Sequence, residues 1–169
     1  MEGHRRARAG LGDALAGRVL PDVTLACHLG EPVRLALVAE RPLVIYTFPG
    51  VARPPAVAAG DAALHAAFDR HTDDLDAHML RAVGLSSEPA RALQLRAARY
   101  RVLHELWSDP GMLLARALGL PTHSDGSMCC YQRLVLVTRG GTIAKAFYPV
   151  ASPQRAAAQV ITWLRATGR

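Results

Sequence analysis

The run Pro42-Leu43-Val44-Ile45-Tyr46-Thr47-Phe48, closed by Pro49-Gly50, constrains the fold more than any other stretch of the chain. It is apolar and β-branched or aromatic on successive residues, so both faces of a strand built from it are hydrophobic. Such a strand is stable only when other layers cover it on both sides. The run is interrupted by Pro49 and Gly50 well short of the roughly 20 apolar residues that a membrane-spanning helix needs. It therefore predicts the central strand of a sheet with helices on both faces.

The flanking patterns supply the other layers. Leu20 to Ala26 and Val33 to Leu35, around the turn Gly30-Glu31-Pro32, read as a hairpin. After a Pro-rich loop from Val51 to Ala59, Asp61 follows Gly60 as the expected N-cap of a helix whose apolar face carries Leu64, Phe68, His71, Leu75 and Met79. A strand over Ala82–Ser86, a helix over Glu88–Tyr100 with Pro89 in its first turn and a strand over Val102–Trp107 come next. Ser108-Asp109-Pro110 caps a short helix through Ala117. Strands over Tyr131–Thr138 and Thr142–Phe147 form a hairpin through Arg139-Gly140-Gly141, and a helix over Ser152–Thr167 ends the chain. The expectation is an α/β protein with a mixed central sheet, a basic extension over 1–18, where Leu11, Leu15 and Val19 suggest a short surface helix, and a single domain over 19–169.

Composition decides what such a domain does not do. With 50% hydrophobic and 20% charged residues the chain is neither disordered nor coiled coil. A net charge of +6 raises the question of nucleic acid, yet the positive residues are dispersed arginines with Lys145 the one lysine, and 5% aromatic content leaves few stacking platforms. No nucleic-acid partner and no membrane are expected. No apolar stretch follows Arg5 and Arg6, so a cytoplasmic location is the expectation. Cys27, Cys129 and Cys130 are too few for a disulfide framework or a four-ligand zinc site. No metal or other cofactor is expected.

Few residues carry candidate chemistry. Strand parity puts Arg133 on a face with Val135 and Val137, where a guanidinium under a helix needs an anionic or multiple hydrogen-bond partner; the equal alternative is a place near the strand end, reaching water or a structural carboxylate. Asp61 at a helix start feels the positive end of the helix dipole, and His65 follows one turn later, so the two are spaced for an acid–base pair. His71 reads as a core histidine, and His78 and His104 have no partner pattern. Cys129 and Cys130 should point to opposite sides of their strand; a buried, inert cysteine is the commoner outcome, and a thiol facing the cleft of Arg133 is the alternative. Walker, dinucleotide, nucleophile-elbow and metal-cluster motifs do not occur.

Several strings, in order, resemble the peroxiredoxins of the alkyl hydroperoxide reductase and thiol-specific antioxidant superfamily, particularly the bacterioferritin-comigratory type. They are Leu20-Pro21-Asp22-Val23-Thr24-Leu25, Tyr46-Thr47-Phe48-Pro49-Gly50, Val83-Gly84-Leu85-Ser86-Ser87, Trp107-Ser108-Asp109-Pro110, Ala117-Leu118-Gly119-Leu120-Pro121-Thr122, Gln132-Arg133-Leu134-Val135-Leu136-Val137 and Phe147-Tyr148-Pro149-Val150. The resemblance implies a thioredoxin-like fold and a homodimer. It places Arg133 at the family's active-site arginine. Anchored on Phe68, it sets Pro54 at the proline of the family's Pro-x-x-x-Thr-x-x-Cys motif, Ala58 at the threonine, Asp61 at the peroxidatic cysteine and Ala66 at the resolving cysteine. A loop alignment shifted by four puts Val57 and Ala62 at the two cysteines instead. The chain resembles a member that lacks both thiols.

Peroxide reduction requires a thiolate to attack an O–O bond, which a carboxylate does not do. The leading expectation is a repurposed site that performs non-redox acid–base chemistry on a small-molecule substrate: cyclisation, isomerisation, elimination or hydrolysis, as in specialised biosynthesis. Asp61, His65 and Arg133 would be its catalytic residues, and Phe48, Pro54 and Cys130 its substrate contacts. Two alternatives stand beside it: a thiol-dependent peroxidase or oxidoreductase using Cys129 or Cys130, and a binding module without catalysis.

Overall fold

The computed structural model describes residues 10–50, 54–125 and 128–168. A helix over 10–15 (α1) leads into β1 (Thr24–Cys27), β2 (Val33–Arg34) and the single-turn α2 (Leu35–Val38). Then come β3 (Leu43–Thr47), α3 (Pro55–Arg70), α4 (Thr72–Asp76), β4 (Arg81–Ser86), α5 (Ala90–Tyr100), β5 (Glu105–Ser108) and α6 (Leu113–Leu118). The chain ends with β6 (Thr122–Asp125), β7 (Met128–Tyr131), β8 (Leu134–Arg139), β9 (Thr142–Phe147), a 3-10 turn over Pro153–Arg155 and α7 (Ala156–Thr167).

One mixed sheet has the order β2-β1-β5-β4-β3-β8-β9. β3, β4 and β5 run parallel, and β1 and β8 pair antiparallel on either side of them. β3 is central and all five of its residues are buried, as its sequence predicts. Its alternation splits the core in two. Leu43 and Ile45 join Val83, Leu85, Trp107, Leu114 and Leu136 on the face covered by α1 and α6, while Val44 and Tyr46 join Leu64, Phe68, Leu93, Val135 and Val160 on the face covered by α3, α5 and α7. The expected mixed α/β architecture is the one observed.

Several boundaries differ, each for a local reason. α3 begins at Pro55 rather than after an Asp61 N-cap, because Pro54 takes an extended φ/ψ of −51°/151° and Pro55 needs no N–H in the first turn. Residues 54–59 are thus cap and helix rather than loop, while 51–53 of the expected loop lie outside the described residues. The helix expected to carry its stripe through Met79 breaks at His71; Met79 is exposed with φ at +58°. His71 is half-buried at that break, its Nδ1 on the Ala67 carbonyl, and is not a core residue. α5 starts at Ala90, with Pro89 as N-cap. The predicted strand Tyr131–Thr138 is two strands: β7 pairs with β6 as a separate hairpin, β8 joins the main sheet, and Gln132 and Arg133 lie in the break. The Asp109 carboxylate caps α6 as expected, accepting from the amides of Leu113 and Leu114. Gly140 and Gly141 both have positive φ, as a tight β8–β9 turn requires.

The segment over 10–20 is packed rather than peripheral. Leu15 is 1% exposed and Leu20 6%. The amide of Gly17 donates to the Ile143 carbonyl and that of Leu20 to the Gly141 carbonyl, along the outer edge of β9. No helix among the described residues is long and apolar enough to cross a membrane.

Candidate functional site

The C-terminal end of β3 and the break before β8 meet at Thr47. Its buried hydroxyl donates to the Gln132 carbonyl and accepts the Leu134 amide, at 3.0 Å for the latter. Gln132 is fixed again by its own side chain, which donates to the Thr122 carbonyl at 2.8 Å and accepts the Tyr148 hydroxyl at 2.7 Å. Arg133 is therefore held at a pinned backbone and reaches across to α3.

There it meets Asp61. Arg133 Nε and Nη2 both donate to Asp61 Oδ1, at 3.0 and 2.7 Å, and Nη2 also donates to the Val57 carbonyl at 2.7 Å. Asp61 Oδ2 accepts the Gly50 amide at 3.2 Å and lies 3.9 Å from Arg96 Nη1. Arg96 in turn donates through Nε to Glu88 Oε2 at 2.8 Å. Two arginines and two carboxylates thus form one network, and their formal charges cancel. Asp61 is 0% exposed, Glu88 3% and Arg96 7%, whereas the Arg133 side chain is 20% exposed. Burial pushes the Asp61 carboxyl above its ordinary range, against the pull of Arg133, the Gly50 amide and Arg96.

Two glycines make the approach possible. A Cβ at Gly60 would lie 2.7 Å from Arg133 Nη2, and one at Gly50 would lie 2.5 Å from the Glu88 side chain, where φ is also +86°.

The expected site residues fall out unequally. Asp61 and Arg133 are joined directly, and the parity argument for Arg133 holds in outcome, since it faces α3 on the side of Val135 and Val137. Asp61 is not an N-cap: α3 starts earlier and places it in the second turn, its oxygens turned to Arg133 and Gly50. His65 is 1% exposed and its Nδ1 lies 2.6 Å from the Tyr46 hydroxyl, so its hydrogen bond is with β3 and the expected pair with Asp61 is not formed. Burial, reinforced by the nearby guanidiniums of Arg96 and Arg133, pushes the His65 pKa down to about 3.

Beside Arg133 lies a pocket of about 560 Å³. Pro54 and Cys130 line it, with Gln132, Tyr148 and His123. Phe48 does not; it is fully buried beneath, its ring edge-on to His65 at 4.7 Å and under the Arg96 guanidinium at 5.3 Å. Cys129 is exposed and Cys130 buried, the opposite orientations expected of neighbours in a strand, and Cys130 Sγ donates to the His123 carbonyl at 3.5 Å. The sequence reading missed Thr47, Glu88, Arg96 and His123. Arg96 alone left a signal, a charge within the α5 stripe that contains Leu93 and Ala97. The others are joined across turns or sheets with no local pattern. Ala58 and Ala66, at the expected threonine and second-cysteine positions, are half-buried on α3, and Val57 lines the pocket, so neither alignment of the loop puts a thiol beside Arg133.

No protein-family model and no curated protein matches the chain. Solved structures do. Peroxidoxin BcpB from Mycobacterium tuberculosis superposes with a TM-score of 0.77 at 21% identity, over 89% of this chain and 96% of that one. A cysteine-to-serine mutant of peroxiredoxin Q from Xanthomonas campestris gives 0.76 at 21% identity, over 92% and 99%. Reduced Prx3 from Vibrio vulnificus in complex with hydrogen peroxide gives 0.74 at 20% identity, over 91% and 98%. The superpositions span nearly the whole of each chain: this chain has the thioredoxin-like fold of the bacterioferritin-comigratory peroxiredoxins.

Proposed function

We propose that this peroxiredoxin-fold protein binds a small molecule and does not reduce peroxides. The observation that carries the reading is the fully buried Asp61 carboxylate, which takes both inward nitrogens of Arg133 at 3.0 and 2.7 Å. A carboxylate there keeps the charge that a thiolate would bring but forms no sulfenic acid, so the arginine is neutralised without a redox step. What stays accessible is the neighbouring pocket. Its walls are apolar at Pro49, Pro54, Val57 and Val150, and its polar lining is Arg133, His123, Gln132, Cys130 and Tyr148, whose hydroxyl donates to Gln132. Because Asp61 cancels Arg133, the fitting ligand has a short apolar body and a neutral hydrogen-bond acceptor rather than a second anion.

Acid–base catalysis by Asp61 has less support, since both oxygens are occupied and the group is sealed from the pocket. A thiol reading draws on one specific observation: Cys130 lines the same pocket as Arg133.

The experiment has two parts. Consumption of hydrogen peroxide and of an organic hydroperoxide is followed with a thiol reductant, before and after alkylation; no turnover is expected. Turnover lost on alkylation and in Cys130→Ser would replace the binding reading with the thiol one. Binding of hexanamide and hexanoate is then followed by chemical-shift perturbation at Tyr148 and Val150. Wild type is expected to prefer the amide and Asp61→Asn the carboxylate. Perturbation by neither compound would remove the pocket as the site.

A further inference from the structure

The Arg133 site stands where β3 ends, and a second recessed surface lies at the opposite end of the sheet, where β4 and β5 begin. Two grooves adjoin there, of about 650 and 510 Å³, and both are lined by Asp76, Leu80 and Arg81.

Large apolar side chains are concentrated on this face. Leu29 and Leu103 line the larger groove at 69% and 82% exposure, and Leu37 and Met79 the smaller at 58% and 76%. These four are half of the large apolar side chains that stand exposed among the described residues. Scattered singly such side chains need no account, but grouped around one recess they mark a surface that another molecule covers. Met79 gives an independent sign. Its φ is +58°, a left-handed conformation that glycine adopts at lower cost, and the fold gains little from a large side chain left in solvent there. Methionine, flexible and polarizable, is suited to contact with an incoming apolar group.

Charge indicates what that molecule is. Asp69, Asp73, Asp76 and Glu105 line the larger groove with Arg81, on a chain whose net charge is +6, and the smaller groove adds one charge of each sign, Glu40 and Arg41. Glu105 is already occupied by Arg81 at 2.7 Å and the Trp107 indole at 2.8 Å, and Asp69 by His104 at 2.7 Å and the Leu103 amide. Asp73 and Asp76 are not. Both are exposed, and neither side chain has a hydrogen bond or ion pair among the described residues. They stand one turn apart on α4, where like charges repel, and Asp76 ends that helix, where the dipole disfavours a carboxylate. Asp76, common to both grooves, links the rim of Leu29 and Leu103 to that of Leu37 and Met79.

We propose that this face docks a polypeptide segment of another protein in which lysine or arginine stands between large apolar side chains. The cation meets Asp73 and Asp76, and the apolar groups meet Leu29 and Leu103 on one side and Leu37 and Met79 on the other. The free carboxylates repel nucleic acid and anionic lipid headgroups. They also disfavour a second copy of this chain, because a two-fold interface sets the patch against itself and like charges face one another.

The test follows fluorescence anisotropy of a short fluorescein-labelled peptide of alternating leucine and lysine, beside peptides of leucine with glutamate and of serine with lysine. The first is expected to bind the wild-type protein roughly tenfold or more tighter than either of the others. Equal binding of all three, or no binding of the first, would overturn the proposal. Two variants then locate the peptide. Met79→Gly relieves the left-handed backbone, so the melting temperature should hold or rise while affinity falls by about fivefold or more. Asp73→Asn with Asp76→Asn keeps the shape and removes the charge, and affinity should fall by roughly tenfold, with a flatter dependence on salt. Unchanged affinity in both variants would place the peptide elsewhere and overturn the docking face. Dimerisation of the peptide-free protein that Met79→Gly abolishes in sedimentation would assign the face to a second copy and overturn the proposal as well.

Discussion

Asp61 owes its role to company rather than to position. An aspartate that only caps a helix is replaced by asparagine at almost no cost, because both side chains accept the same amides. Here the carboxylate answers two guanidiniums, and Asp61→Asn leaves the shape but removes the charge. Breaking a buried pair typically costs about 3–5 kcal/mol, and the partial exposure of Arg133 brings the expectation to about 2–4 kcal/mol. Urea unfolding should show a lower midpoint at unchanged slope. In a double-mutant cycle Asp61→Asn with Arg133→Gln should cost less than the sum of the single changes, since removing both charges leaves neither unpaired. Additive losses would mean that the two residues act separately.

At the scale of the element, α3 carries the site because of a residue that helices ordinarily avoid. Gly60 lies in its interior, where alanine is worth up to about 1 kcal/mol more in helix propensity. Yet a Cβ there meets Arg133 Nη2 at 2.7 Å and Cζ at 2.9 Å, and that guanidinium is held by three hydrogen bonds to Asp61 and the Val57 carbonyl. Gly60→Ala is therefore expected to destabilise despite its propensity gain, with a lowered melting temperature as the readout; stabilisation would show that Arg133 yields freely. The same helix sets an acid response through His65. Folded, it stays neutral down to about 3, whereas unfolded it takes up a proton near 6.5. Between those values the unfolded state binds more protons, so stability is lost as pH falls, by up to about 1.4 kcal/mol per pH unit. Asp61, whose pKa is raised from 3.8, acts in the opposite sense and loses stability as pH rises through its own window. Denaturant midpoints from pH 6.5 downward should fall less steeply in His65→Gln than in wild type; parallel slopes would assign the acid loss to other groups. β3, the β8–β9 turn and the Asp109 cap were legible in the sequence because a continuous apolar run, paired glycines and a cap are local signals. The start of α3 was not, since Pro54-Pro55 reads equally as loop or as cap and first turn. The network of Asp61, Arg96, Glu88 and Arg133 was legible only at Asp61 and Arg133, because its bonds join α3, α5 and the β7–β8 break across large sequence separations.

The whole molecule closes on itself at β9. Residues 17–20 run along the outer edge of that strand, with Val19 bridged to Thr142, the Ile143 amide on the Arg18 carbonyl and the Gly17 amide on the Ile143 carbonyl. The helix before them anchors this cover through Leu15, which is 1% exposed within the core that also holds Ile143 and Ala146. Gly12 fits there without a side chain, its Cβ position 2.8 Å from the Ala146 carbonyl. A sheet edge stripped of such a cover presents unpaired amides and carbonyls that a second chain can match. Leu15→Ala removes a fully buried side chain, and a loss of about 2–4 kcal/mol is expected in urea unfolding. A chain beginning after residue 20 should lose more, since it forgoes the edge hydrogen bonds as well as Leu15 and Leu20. It should also self-associate with rising concentration in light scattering, through the bared β9. If the shortened chain unfolds at the same midpoint as the full one and scatters no more light, the segment is an appendage, and the edge is protected by the twist and side chains of β9 itself.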